Sequence, residues 1–177
     1  RYADAKAIAQ QALDRAVELD DPGLRARALY QMGNVSERLG EFDEAEGFLR
    51  RATLASERIG SDRAAAESMI TLVYVVGASG ADAEGSKLMA DLARAKVERL
   101  GGDPKLLRQL ENNLAAAAFT ASDVEAALDH QRRSIEFGQA AFAEDSLELT
   151  INRDNLAALL LAAGELDEAI RVGEANL

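Results

Sequence analysis

The chain has 177 residues and a formal net charge of −11, with 48% hydrophobic residues, 5% aromatic residues and no cysteine. The lack of cysteine excludes disulfides, thiolate metal sites and cysteine nucleophiles, and the negative charge disfavours phosphate backbones and anionic membrane surfaces. A protein or peptide partner that is neutral or basic, rather than acidic, suits this charge better.

Alanine and leucine, both strong helix formers, supply most of the apolar residues. Valine and isoleucine nowhere alternate with polar residues over the length of a strand, so an all-α chain is predicted. The first predicted element covers residues 1–20, and its apolar residues have the same spacing as those of residues 42–52. This spacing indicates the second helix of a pair whose first helix precedes the sequence, so we expect the chain to be part of a longer protein.

Four helix pairs are predicted to follow, in residues 23–60, 61–101, 103–142 and 145–177. The motif Gly-Glu-x-Asp-Glu-Ala ends at Ala45 and again at Ala169, and a more divergent copy ends at Ala127. These copies are 82 and 42 residues apart, so the repeating unit is 41 to 42 residues long. The second pair is the most divergent, and one extra residue is expected in its turn around residues 80–85. A four-helix bundle, the competing architecture, would require no such self-similarity.

Capping residues mark the predicted helix boundaries. The Asp-Pro dipeptides at residues 21–22 and 103–104 each place an N-cap before a proline in the first helical position, and Ser61 and Ser146 are further candidate N-caps. Glycines stand where helices are expected to end, at Gly40, Gly60, Gly101 and Gly164. The pattern predicts a right-handed α-solenoid of antiparallel helix pairs with about nine helices.

Small residues recur where the two helices of a pair would touch, namely Gly33, Ala115 and Ala157 in first helices and Ala45, Ala127 and Ala169 in second helices. Together with the Asn-Leu-Ala motifs of the third and fourth pairs, they give the whole chain a pattern that resembles the tetratricopeptide repeats. The unit is longer than the common one of about 34 residues. In this respect it is similar to the repeats of kinesin light chains and to arrays that follow kinase domains in some large bacterial signalling proteins.

The resemblance implies a concave groove, made mostly of first helices, in which an extended peptide binds. In such repeats an asparagine before the Leu-Ala pair hydrogen-bonds the peptide backbone, and Asn113 and Asn155 hold that place here. Helical spacing adds neighbours on the same face, which gives the predicted site Arg27, Tyr30, Gln31, Asn34, Thr71, Tyr74, Asn112, Asn113 and Asn155. Two alternatives stay open: Tyr74 packs between helices, or Asn113 and Asn155 hydrogen-bond a neighbouring helix.

No catalytic residue, cofactor or metal site is predicted. His130 is the only histidine, and no carboxylate pair is flanked by a candidate nucleophile or a phosphate-binding loop. The sequence therefore indicates a non-catalytic, cytoplasmic scaffold or adaptor that binds a protein or peptide and neither nucleic acid nor a membrane. The alternative is a structural role, in which the array self-associates or acts as an intramolecular regulatory domain of a larger signalling protein.

Overall fold

The computed structural model describes residues 2–79, 83–174 and 176, and this part of the chain consists of helices joined by short turns. It contains nine helices: α1 (Tyr2–Glu18), α2 (Pro22–Arg38), α3 (Phe42–Arg58), α4 (Asp62–Ser79), α5 (Ala83–Arg99), α6 (Pro104–Thr120), α7 (Val124–Ala141), α8 (Leu147–Ala163) and α9 (Leu166–Glu174). The extra residue expected in the turn around residues 80–85 falls largely on residues 80–82, outside the described part. The number and type of helices agree with the predicted all-α repeat array.

Short polar side chains close several helix N-termini. Asp21, Asp103 and Asp123 accept hydrogen bonds from backbone N–H groups of the following turn at 2.9, 2.9 and 3.1 Å, and Ser146 does so at 3.4 Å. Gly164 ends α8 in the left-handed conformation with φ of 82°, which a residue without Cβ adopts at little cost. The N-caps predicted at Asp21, Asp103 and Ser146 are therefore present.

The core runs along the chain as a row of linked clusters. Each helix packs against the next one in sequence, and α4 also packs against α6. Buried apolar side chains join α1, α2 and α3, then α3 and α4, then α4, α5 and α6, and finally α7, α8 and α9. Contacts thus stay local in sequence, as expected for a repeat array in which each unit touches only its neighbours.

Small residues bring the helices of a pair into close contact, as predicted. Gly33 of α2 lies over Leu49 of α3, and a Cβ built at Gly33 would be 2.6 Å from Leu49 Cγ. Ala45 and Ala127 are completely buried between helices, and Ala169 is nearly so. A larger side chain at these positions would push the helices apart.

Helix α4 is the centre of the array, because α3, α5 and α6 all pack on it. Its buried stretch runs from Ala65 to Gly77 with few interruptions. Gly77 lets α6 approach so closely that a Cβ there would overlap Ala117. Although α4 is apolar, no helix in the described part of the chain is long and apolar enough to cross a membrane.

Candidate functional site

A cavity of about 610 Å³ runs across the four first helices α2, α4, α6 and α8. These helices lie side by side, since α2 contacts α4, α4 contacts α6, and α6 is hydrogen-bonded to α8. The cavity is lined by Tyr30, Gln31, Asn34, Val35, Glu37, Arg38, Thr71, Tyr74, Gln109, Asn112, Asn113, Ala116 and Asn155. Eight of the nine residues predicted for the site are among them. We call this cavity the first-helix groove.

Helix α2 contributes one wall of the first-helix groove. Tyr30 is half-buried, and its ring packs against the apolar clusters on both sides of α2, which leaves little rotational freedom. Gln31 is exposed and Asn34 is half-buried, and neither side chain has a hydrogen-bond partner among the described residues. This wall therefore offers a fixed aromatic ring and two amides that are free to bind.

Helix α4 forms the floor. Thr71 is almost completely buried, and its hydroxyl donates to the Glu67 carbonyl of its own helix at 3.2 Å. Tyr74 is half-buried and meets the Phe42 ring edge-on, with centroids 6.4 Å apart and planes at 70°. The alternative that Tyr74 packs between helices is thus realised for its ring, while the same residue also lines the groove. The position of the Tyr74 ring is fixed by this packing, which suits a residue of a binding surface.

The asparagines are already partly bonded within the chain. Asn113 Nδ2 donates to the Ile70 carbonyl of α4 at 2.8 Å, and Asn155 Nδ2 donates to Asn112 Oδ1 at 3.1 Å. The helix-packing alternative is therefore realised for one N–H of Asn113 and one N–H of Asn155. Because an amide carries two N–H donors and a carbonyl with two lone pairs, each of these side chains keeps unused capacity. In the described part of the chain, nothing bonds the Asn112 amide nitrogen or the Asn155 amide oxygen.

Arg27 is the one predicted residue that the structure places outside the groove. Its side chain lines a neighbouring, mostly apolar depression of about 540 Å³ between α1 and α2. Ile8 and Leu24 line that depression too, whereas Gln31 and Val35 border both hollows. Helical spacing correctly put Arg27 and Gln31 on neighbouring surface, but it could not show that Arg27 lines a different hollow from the other predicted residues.

Besides Gln109 and Ala116, which share the face of Asn112 and Asn113, the groove has three lining residues on α2 that sequence reasoning missed, namely Val35, Glu37 and Arg38. They follow Gln31 and Asn34 at three- and four-residue spacing, so the helical periodicity that placed the others could have found them. Glu37 is half-buried, and the water it loses by burial raises the pKa of its carboxyl, with a smaller opposing effect from Arg38. The groove is otherwise dominated by uncharged amides and tyrosines.

A buried ionic cluster holds the helix that bears the central asparagines. Glu111 of α6 is fully buried, accepts a hydrogen bond from Arg94 of α5, and lies 2.7 Å from Nδ1 of His130 in α7. Burial by itself raises the pKa of Glu111, but the hydrogen bonds from His130 and Arg94 outweigh it and hold the pKa below its usual range. The cluster ties α6 to α5 and α7 at the residue that directly precedes Asn112 and Asn113.

The side chains of the groove suit recognition by hydrogen bonding. In the described part of the chain, no group of three histidine, aspartate or glutamate side chains is arranged to hold a metal ion. What the groove offers instead is a row of amide donors and acceptors beside two tyrosines. Such a row matches the donors and acceptors of a polypeptide backbone.

No family description and no curated protein matches this chain. Many solved structures do match it. One of them, BtubC (BKLC) from P. vanneervenii, has 23% identity and a TM-score of 0.73 over 98% of this chain and 74% of its own. Another, from Podosopora anserina, carries nearly identical repeats of the tetratricopeptide-like kind assigned to a kinesin light chain. It has 15% identity and a TM-score of 0.66 over 99% of this chain and 85% of its own.

Because the identities are only 23% and 15%, the comparison shows the fold and not the function. The two proteins cover almost the whole chain, and the all-α helical array described above superposes on both. The fold class predicted from the repeats is confirmed, and so is the resemblance to kinesin-light-chain-like repeats as far as the fold is concerned. The chain is a solenoid of tetratricopeptide-like helical repeats.

Proposed function

We propose that this chain is a non-catalytic scaffold or adaptor that binds an extended segment of a protein or peptide in the first-helix groove. The observation that carries the proposal is the meeting of eight predicted side chains, from four different helices, in one cavity of about 610 Å³. Helical repeat arrays use such extended surfaces for binding.

The polar atoms of the groove support backbone recognition. The Asn112 amide nitrogen can donate to a peptide carbonyl, and the Asn155 amide oxygen can accept from a peptide N–H. Because Asn113 is anchored to the Ile70 carbonyl, its remaining groups are held in place before the ligand arrives. Pre-positioned groups lose less conformational freedom on binding than mobile ones do.

Charge indicates which partners fit. The chain carries a formal net charge of −11, and Arg38 is the only basic side chain that lines the groove in the described part of the chain. A single arginine does not form the Lys and Arg clamp that an acidic tail requires, so a neutral or basic segment is favoured. The same charge disfavours nucleic acid and anionic membranes as partners.

A second candidate function is self-association or docking on another domain of the same parent protein. Exposed aliphatic side chains favour it: Ile8 of α1 is 66% exposed, and Leu166 and Ile170 of α9 are 59% and 58% exposed. Apolar surface of this kind often marks an interface. Light scattering over a concentration series tests self-association, since a chain that stays monomeric at every concentration does not self-associate.

The groove is tested by selecting peptides from a random library on the whole 177-residue chain and measuring their affinities for variants. Asn112→Ala and Asn155→Ala each remove one backbone hydrogen bond, which is worth about 1 kcal/mol, or about fivefold in affinity. Gln139→Ala is the matched control, because Gln139 is an exposed amide on α7 away from the groove. If both asparagine variants hold every selected peptide as tightly as the control does, the groove assignment is wrong.

A further inference from the structure

With one exception, the partly or fully buried carboxylates in the described part of the chain pair with a basic side chain. Seven lie in the described part, namely Glu37, Glu46, Asp62, Glu67, Asp103, Glu111 and Glu168. Six of them pair with a basic side chain of the chain itself, at distances of up to 3.2 Å. Pairing is expected, because a carboxylate that loses water needs a compensating charge or hydrogen bond. Glu37 has neither an ion pair nor a hydrogen bond within the described part of the chain.

The exception lies in the proposed binding site. Glu37 lines the first-helix groove and is the only carboxylate that does so among the described residues. Burial raises the pKa of Glu37, which reflects lost hydration that nothing in the described part of the chain offsets fully. Arg38 is the nearest cation in sequence, but consecutive helical residues point about 100° apart. It is exposed and lies beyond ion-pair distance of Glu37, so its charge acts only weakly.

We propose that the segment bound in the first-helix groove carries a lysine or arginine side chain that pairs with Glu37. This inference rests on the proposed function and adds the feature that the amides lack. Amides recognise a peptide backbone irrespective of its side chains, whereas a carboxylate selects a cation. Glu37 is therefore a specificity-determining residue, and the groove binds a basic segment in preference to a neutral one.

The strength of the pair follows from the burial of Glu37. An ion pair between two fully hydrated groups gains little, because both charges give up water to form it. Glu37 has already lost part of its water in the folded chain, so an arriving cation pays mainly for its own desolvation. We expect a contribution of about fivefold in affinity, at the upper end for exposed pairs.

A double-mutant cycle tests the pair. Nonapeptides with blocked ends are selected from a random library on the whole chain, and each basic residue of the best binders is replaced by alanine. Glu37→Gln is expected to weaken a basic peptide about fivefold and to leave its alanine version unchanged. Glu136→Gln is the matched control, because it makes the same charge change at an exposed site on α7 and leaves both affinities unchanged. Exchanging lysine for arginine in the peptide shows which cation binds better.

The possible results distinguish the role of Glu37 from peptide binding in the first-helix groove. If Asn112→Ala weakens the selected peptides but Glu37→Gln affects basic and neutral peptides alike, the groove stands and the role of Glu37 is refuted. Selected peptides without enrichment in lysine or arginine refute that role in the same way, and this result needs only the unmodified chain. If no peptide binds at the groove, both proposals fail together.

Discussion

Gly33 provides the sharpest test of the packing, because replacing it with alanine changes one atom at the contact between α2 and α3. The added Cβ would lie 2.6 Å from Leu49 Cγ and 2.8 Å from Leu49 Cδ2. Leu49 is completely buried and cannot swing away into solvent. Such overpacking costs about 1–3 kcal/mol, whereas exchanging glycine for alanine inside a helix returns up to about 1 kcal/mol. We expect a net destabilisation of about 1 kcal/mol.

The neighbouring helix supplies a matched control. Gly47 lies inside α3, is exposed, and has nothing within 4 Å of the position its Cβ would take. Gly47→Ala gains the helix propensity without the clash and should stabilise the chain by about 0.5–1 kcal/mol. Subtracting the change in the free energy of unfolding of Gly47→Ala from that of Gly33→Ala cancels the gain in helix propensity. The remainder is the cost of the clash with Leu49. For a chain of this length, each kcal/mol moves Tm by about 2–4 °C.

Urea unfolding followed by circular dichroism, together with thermal melts, gives both changes. The contact at Gly33 is refuted if Gly33→Ala stabilises the chain as much as Gly47→Ala does. A further check is Leu49→Ala, which empties the space that the new methyl group needs. Gly33→Ala made in that background should cost less than it costs alone, since residues in contact are energetically coupled.

Two further predictions concern the core. Ala127→Leu should lower the free energy of unfolding by about 1–3 kcal/mol, because Ala127 is completely buried between helices. Ala140→Leu, on the exposed face of α7, should leave the free energy of unfolding unchanged. Equal urea midpoints for the two variants would contradict the repeat register. The pKa of Glu111 is lowered in the fold by His130 and Arg94, so its contribution to stability is complete above its unfolded pKa of about 4.3 and is lost as the pH falls through the folded value. Urea midpoints measured from pH 6 to pH 3 should therefore fall less steeply for Glu111→Gln than for the unchanged chain, and parallel curves would refute this.

Repetition made the fold predictable from the sequence. Small residues such as Ala45 and Ala127 must recur wherever the same helix contact recurs, so the spacing of alanine and glycine reports the architecture directly. The location of groove residues on first helices followed from the same register. What the sequence could not give was the side-chain bonding of Asn113, which depends on how far α6 lies from the Ile70 carbonyl of α4.

Charged residues were harder to interpret. Sequence spacing does not bring Glu111 together with Arg94 and His130, and only the structure shows these two side chains meeting it from two other helices. Glu37 was not predicted, because the sequence does not distinguish it from the many other acidic residues on helices of this acidic protein. Its carboxylate has no partner among the described residues, and that becomes visible only when the surrounding side chains are known.

The local packing of the array has a consequence for how binding and stability are linked. Because each helix pair touches only its neighbours, the end pairs can open while the centre around α4 stays folded. The first-helix groove, however, spans α2 through α8. A ligand that lies along it joins units that otherwise open independently, and so turns a row of separate local equilibria into one cooperative transition. Its presence should slow hydrogen exchange most in the end helices that it reaches, where the free chain opens first.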